Sequence, residues 1–263
     1  MNSSTMEKTD PTRIGSKIAA VTAAFWLLKI LATTLGETAG DFLAQTLDLG
    51  YVAGLAITGS LLILLLAAQI RARAYHPVLF WAAIVGTTTA GTEISDMMDR
   101  TLGLGYATGS VLLLLGLLVA LAVWRRREGT LSIDGIRHRQ AEAMFWVAVL
   151  FSNSLGTAYG DFLVDNLSLG YLAAAAVCTA VIAVVILLHY THAVNDVALF
   201  WIAFIFTRPF GATFGDLLTK PLAKGGFDLG TQNASLVCFA LMAVLIGLTM
   251  RASRQPQPQL VRK

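Results

Sequence analysis

The dipeptide Phe-Trp occurs four times in this chain, at Phe25-Trp26, Phe80-Trp81, Phe145-Trp146 and Phe200-Trp201, at intervals of 55, 65 and 55 residues. Each copy sets a register. Eleven residues after the Phe stands a Gly (Gly36, Gly91, Gly156, Gly211). Fifteen after it comes a Gly or Ser (Gly40, Ser95, Gly160, Gly215), followed at once by an Asp (Asp41, Asp96, Asp161, Asp216). A Leu-Gly pair follows each Asp, at Leu49-Gly50, Leu104-Gly105, Leu169-Gly170 and, after five extra residues, Leu229-Gly230. A tandem motif of this length means four copies of one supersecondary unit, each burying its surface against the others.

Each copy contains two apolar runs of the roughly 20 residues needed to cross about 30 Å of hydrocarbon. Only 13% of the chain is charged, 56% is hydrophobic and the mean hydropathy is +0.68, whereas about a quarter of an ordinary soluble domain is charged. The expected fold is therefore all-α and polytopic. Eight transmembrane helices arise from four two-helix repeats. The first helix of each repeat runs from the Phe-Trp to just past the Asp, and the second covers 49–70, 104–124, 169–190 or 229–250. Asp48, Ser168 and Asp228 are placed to cap the second helices, with Gly103 a weaker cap.

Fourteen of the nineteen Lys and Arg fall in the N-terminal tail or at its border (Lys8, Arg13, Lys17), at Arg71 and Arg73, in the segment 125–142 and in the C-terminal tail. By the positive-inside rule these regions face the cytoplasm. With an even number of spans per copy, all four repeats insert the same way up. The expected organisation is a tail at 1–16, a four-span half at 17–124, a basic linker at 125–142, a second half at 143–250 and a tail at 251–263. The net charge of +3 reflects this membrane topology and gives no reason to expect nucleic acid. The linker's bases are also placed to touch anionic lipid. Cys178 and Cys238 lie inside apolar runs, which excludes a disulfide framework.

With this repeat, the chain resembles a bacterial integral-membrane family of uncharacterised membrane-anchored proteins, built from four copies of a two-span repeat of unknown function. The resemblance covers nearly everything from Phe25 to Met250. It implies eight spans, a bacterial inner-membrane location and a characteristic tryptophan in each repeat, here Trp26, Trp81, Trp146 and Trp201. It supplies no chemistry. Copy four departs from the others, with its insertion, Thr231 in place of Tyr51, Tyr106 and Tyr171, and Arg208 within the span.

Residues four apart share a helix face, and on each first helix that face is polar. It reads Lys29, Thr33, Glu37, Asp41; then Ile84, Thr88, Thr92, Asp96, with Glu93 beside it; then Val149, Asn153, Thr157, Asp161; and last Phe204, Arg208, Ala212, Asp216. Beside the polar stripe runs a ridge of small residues, Gly36 and Gly40, Gly91 and Ser95, Gly156 and Gly160, Gly211 and Gly215, which permits close helix approach. The first helices are thus expected at the centre and the aliphatic second helices around them. The four tryptophans read as anchors at the membrane interface.

Ionisable groups at this depth normally face a pathway or a partner. Glu37, Asp41, Glu93, Asp96, Asp161 and Asp216 outnumber the counter-ions Lys29 and Arg208, so protons or bound cations are expected to balance them. Glu37, Asp41, Glu93 and Asp96 are expected to share one cavity, with Thr33, Thr88 and Asn153 on the path. Arg208 is expected to neutralise Glu37, Glu93 or Asp161. Carboxylates and hydroxyls suit hard cations, magnesium or manganese above zinc or copper. The reading is a permease moving a small cation by proton or cation coupling, with no resident cofactor. A non-transporting scaffold or sensor is the main rival. An intramembrane enzyme is more remote, since no catalytic motif is present.

Overall fold

In the computed structural model of the chain, residues 17–134, 136 and 138–254 are described, and all regular structure among them is helical. The expected tail at 1–16 and residues 255–263 lie outside the described residues. The eight long helices are α1 (Ala23–Asp41), α2 (Gly50–Arg71), α3 (Pro77–Asp96), α4 (Tyr106–Glu128), α5 (Arg139–Asp161), α6 (Tyr171–Thr191), α7 (Asp196–Thr219) and α8 (Thr231–Arg254). In the first three copies a single π-helical turn continues the first helix past its Asp, at Phe42–Thr46, Met97–Thr101 and Phe162–Asn166. In copy four the insertion replaces that turn with a short 3-10 segment, Leu222–Lys224.

The first helices α1, α3, α5 and α7 form a closed ring in which each packs on the two beside it in repeat order, and α7 returns to α1. The second helices lie outside, each displaced by one copy: α2 packs on α3, α4 on α5, α6 on α7, and α8 on α1. The expected halves, 17–124 and 143–250, therefore interlock. The small ridge explains how the ring closes. A Cβ added at Gly36 would run into Thr88, one at Gly91 would stand 3.1 Å from Asn153 Cβ, one at Gly156 2.5 Å from Arg208 Cβ, and one at Gly211 2.5 Å from Thr33 Cβ. Every copy thus offers a glycine notch to the polar stripe of the next.

At one end of the ring the aromatic pairs close a second circle. Phe25 packs on Trp81 at 5.5 Å between ring centroids, Phe80 on Trp146 at 5.7 Å, Phe145 on Trp201 at 6.4 Å and Phe200 on Trp26 at 5.8 Å. This corrects the reading of the tryptophans as interface anchors. Trp81, Trp146 and Trp201 are buried and Trp26 is partly buried, because each ring is covered by the preceding copy's Phe, a contact that no single repeat reveals. The segment between α4 and α5 folds over this end, burying Ile133 and Ile136, and the Leu131 carbonyl accepts from Trp201 Nε1 at 3.1 Å. Lys17 pairs with the buried Glu142, which also accepts from Gln69 at 3.1 Å, so the start of the described chain is tied to α2 and α5.

The expected caps are corrected as well. Asp48, Gly103, Ser168 and Asp228 do not cap the second helices; all four have positive φ, at 55°, 67°, 53° and 57°. They form the left-handed step that turns the chain back after each first helix, a step that favours Gly and tolerates Asp. The N-caps are Leu49, Gly105 and Gly170 for α2, α4 and α6.

Among the described residues six helices are long and apolar enough to cross a membrane: α2, α4, α5, α6, α7 and α8. The outer ones expose large aliphatic and aromatic side chains such as Leu64, Leu187 and Phe239, the kind of extended apolar surface that marks a contact with a membrane or another protein. Helices α1 and α3 fall short of that standard because of their polar faces, with Lys29, Glu37 and Asp41 on one and Glu93 and Asp96 on the other, and those side chains are buried within the protein.

Candidate functional site

Four helices deliver the polar stripe to one place because each is seated in its neighbour's glycine notch. Arg208 is the centre of that place. It is fully buried, and its Nη2 lies 2.8 Å from Glu37 Oε2 and 2.6 Å from the hydroxyls of both Thr92 and Thr157, while Nη1 reaches the Thr33 carbonyl at 3.5 Å. One guanidinium therefore touches α1, α3 and α5 from α7. A guanidinium keeps its proton at this depth and its planar fork can serve several acceptors at once. Of the three acids expected as its partner, Glu37 is the one it holds.

The other expected counter-ion, Lys29, sits elsewhere. Its ammonium donates to Asn153 Oδ1 at 3.0 Å and lies 4.1 Å over the Phe204 ring, and Asn153 in turn donates to Thr87 Oγ1 at 3.0 Å. Lys29 is thus held by an amide dipole and a π face, two turns of α1 from Glu37, and its expected role as a counter-ion to the stripe acids is corrected. Thr33 and Thr88 are seated in the notches. Thr88 donates to Ala32 O at 3.0 Å and Thr33 to Thr207 O at 3.2 Å, so both fasten neighbouring helices to one another.

The four repeat aspartates gather at the opposite end from the aromatic circle, in two pairs. Lys220 bridges Asp41 of α1 and Asp216 of α7, at 2.6 and 3.1 Å. Arg100 bridges Asp96 of α3 and Asp161 of α5, at 3.6 and 3.5 Å. Gln45 also donates to Asp41. Burial works against the Lys220 ammonium, but Asp216 and Asp41 outweigh it and hold its pKa above the ordinary lysine value. From sequence, Arg100 and Lys220 count only as residues of the less basic side. The available signal was their place four residues after an Asp, where side chains meet on a helix; Gln45 and Asp165 occupy that place in the other two copies. With these bases included, the charge deficit is smaller than Lys29 and Arg208 alone imply.

Glu37, Asp41 and Asp216 come together. One carboxylate oxygen from each can be chosen so that all lie within 4.8 Å of one another, and all three side chains are buried. Glu93 and Asp96 are not in this group, which corrects the expected set of Glu37, Asp41, Glu93 and Asp96. Glu93 stands one step round the helix from the stripe. Its carboxylate oxygens lie 2.7 Å from where a Cβ at Gly54 of α2 would stand, and neither finds a hydrogen-bond partner among the described residues. Asp96 is turned to Arg100. Beside the trio, a polar hollow of about 390 Å³ is lined by Gln45, Thr46, Thr219, Lys220, Gln232 and Asn233. It was not legible in advance, because its walls come from two copies, Gln45 and Thr46 after α1 and Thr219 to Asn233 around the end of α7 and the start of α8.

The arrangement offers three anionic oxygens and neighbouring hydroxyls, with two resident cationic side chains, Arg208 and Lys220, already engaging them. Among the described residues the acceptors around these two bases are carboxylate, hydroxyl, carbonyl and amide oxygens, the donor type that hard cations take. Cys178 and Cys238 are free and buried.

No curated protein and no solved structure matches the chain. The family described as Repeat of Unknown Function (DUF347) matches at residues 24–75, 79–130, 144–193 and 199–255, which reproduces the fourfold register of the Phe-Trp motif. With four tandem matches covering most of its length, the chain belongs to that repeat family.

Proposed function

We propose that the chain is an eight-span permease of a bacterial cytoplasmic membrane that binds a small cation at Glu37, Asp41 and Asp216 and moves it in exchange for protons or another cation. The convergence of those three buried carboxylates beside a polar hollow carries this reading. Helices α1 and α3 count as spans in it because their polar faces are covered by protein and lipid never meets them. The basic asymmetry of the sequence puts the aromatic end in the cytoplasm and the hollow outside.

In the proposed cycle, a cation entering from the hollow competes with Lys220 for Asp41 and Asp216, and with Arg208 for Glu37. The empty and loaded states then differ in the partner of each base, which is what couples occupancy to conformation. The aromatic circle is the barrier that must part for release at the other end. A divalent ion of magnesium or manganese type fits oxygen-only ligation best. The protein acts as a carrier and needs no cofactor.

Purified protein in proteoliposomes tests this. Uptake of Mn²⁺ or Mg²⁺, with and without a pH gradient, should be lost in Glu37→Gln, Asp41→Asn and Asp216→Asn and largely kept in Asp161→Asn. A well-folded protein with no flux and no cation-dependent rise in melting temperature would instead favour a membrane scaffold.

A further inference from the structure

The crossing of α4 and α5 carries a groove of about 630 Å³ on its outer face. Its floor is made by small residues, Gly116 and Ala120 of α4 and Ala143 of α5, its far end by the Phe151 ring, and its near end by Arg127 and Gln140. Phe151 lies so close to α4 that a Cβ at Gly116 would overlap its ring. From Leu115 to Arg127 the groove follows twelve residues of helix, about 18 Å, close to one leaflet of a hydrocarbon core ~30 Å thick.

The near end is unusually cationic. Arg125, Arg126 and Arg127 are all exposed at the last turn of α4. Among the described residues none of them is in an ion pair: nearby Glu128 is engaged by His138 at 2.9 Å, and Glu142 is buried against Lys17. The position of Arg127 is filled by Ala72, His192 and Ala252 in the other copies, so a permanent charge at the mouth of the groove is peculiar to this crossing.

We infer that this groove is a binding site for an anionic phospholipid, with an acyl chain lying along Val123, Ala120 and Gly116 to Phe151, a headgroup phosphate held at Arg127, and Arg125 and Arg126 adding positive charge around the same helix end. The inference rests on the membrane reading alone and is independent of cation transport. A zwitterionic lipid has the chain but no net charge to match three unpaired guanidiniums, each of which attracts an anionic surface appreciably. Free phosphate has the charge but nothing for the apolar trough.

The test uses delipidated, full-length protein in detergent, with phosphatidylglycerol, phosphatidylcholine and inorganic phosphate as probes. Bound lipid is read by native mass spectrometry and by melting temperature. Phosphatidylglycerol should be retained over phosphatidylcholine, and the preference should weaken with salt. The triple substitution R125Q/R126Q/R127Q should weaken phosphatidylglycerol binding by up to about a hundredfold at low salt. Ala143→Leu, which fills the trough and spares the arginines, should lower binding of the long-chain lipid about tenfold. Elution as a single monodisperse peak checks folding of each variant. Equal retention of both lipids, an unchanged preference in the triple variant, displacement of lipid by inorganic phosphate alone, or wild-type binding by Ala143→Leu would each overturn the site.

Discussion

At the seam between α7 and α1, Lys220 spans Asp216 and Asp41 at 3.1 and 2.6 Å, and Arg208 and Glu37 meet one turn deeper at 2.8 Å. At the seam between α3 and α5, on the other side of the same ring, Arg100 reaches Asp96 and Asp161 only at 3.6 and 3.5 Å, and the uncharged Thr88 and Thr157 stand at the register positions of Arg208 and Glu37. Arg100 is 37% exposed where Lys220 is 19% exposed. Both seams are built on the same repeat, with the same glycine notches and the same aspartates. The repeat supplies a closed ring, and a few substitutions, Arg208 for Thr88 and Glu37 for Thr157, turn one of two similar seams into a charged site with a third carboxylate.

The sharpest way to break this comparison is to remove Arg208. Arg208→Met leaves Glu37 buried without its partner, and breaking one side of a buried ion pair costs about 3–5 kcal/mol. A change at the α3/α5 seam, Thr87→Val, removes the hydroxyl that accepts from Asn153 Nδ2 at 3.0 Å and should cost about 1 kcal/mol. Denaturant titration in detergent micelles measures both. Adding Glu37→Gln to Arg208→Met should recover much of the loss, because the stranded charge is then gone. Equal losses at the two seams, or no recovery in the double variant, would mean that the two seams are energetically alike.

Glycine substitutions give the next largest effect. At Gly211 a Cβ would stand 2.5 Å from Thr33 Cβ and 2.9 Å from the Thr33 carbonyl carbon, so α1 would have to move. At Gly91 the nearest atoms, in Asn153 and Ser154, stand at 3.0–3.1 Å, and a shift of a few tenths of an ångström relieves the contact. Overpacking of this kind costs about 1–3 kcal/mol. Gly211→Ala is expected near the upper end and Gly91→Ala near the lower, read from the same titration. The reverse order would show that the α3/α5 seam is the less compliant one.

What was legible in the sequence follows from whether a feature lies within one repeat. The register, the central place of the first helices and the glycine ridge rest on spacings along a single helix, whereas the meeting of Arg208 with a stripe acid crosses from copy four to copy one and follows from charge, since a buried guanidinium needs an anionic acceptor. The aromatic circle does not, since Trp81 is covered by Phe25 of the preceding copy and Trp26 meets Phe200 of the last, so tryptophans that would suit a lipid interface are inside. Glu93 misled for a related reason. A 100° step on the helix wheel is enough to move it from the ring to the Gly54 notch of an outer helix. Lys29 was depth-matched to the acids but not placed against them, and helix depth alone cannot distinguish a carboxylate from an aromatic face as its partner.

Lys220 and Arg100 sharpen the comparison in function. Lys220→Gln removes the side chain that competes for Asp41 and Asp216, so cation affinity at the proposed site should rise, by about fivefold for one partly exposed ion pair. Arg100→Gln, which relaxes a pair outside the trio, should leave that affinity within about twofold. Calorimetric titration of detergent-purified protein with Mn²⁺ provides the measurement. A weaker binder from Lys220→Gln would show that the lysine organises the carboxylates and does not act as a stand-in for the cation.

The smallest effects are expected where the seams do not differ at all. Each first helix is followed by a left-handed residue at the same register, Asp48, Gly103, Ser168 or Asp228. A side chain there costs about 1–2 kcal/mol of backbone strain, less for Asp, whose short polar group bonds locally. Replacing it with Gly relieves that strain but loosens the unfolded chain by about 0.4–1 kcal/mol. The two terms nearly cancel for Asp. Ser168→Gly should therefore stabilise by a few tenths of a kcal/mol, Asp48→Gly and Asp228→Gly should be close to neutral, and Gly103→Ala should destabilise by about 1 kcal/mol. Because these steps belong to the repeat and not to one seam, none of the four should alter Mn²⁺ binding. If Asp228→Gly did so, the loop carrying Lys220 would be part of the site, and the difference between the seams would begin at the turn and not at Arg208 and Glu37.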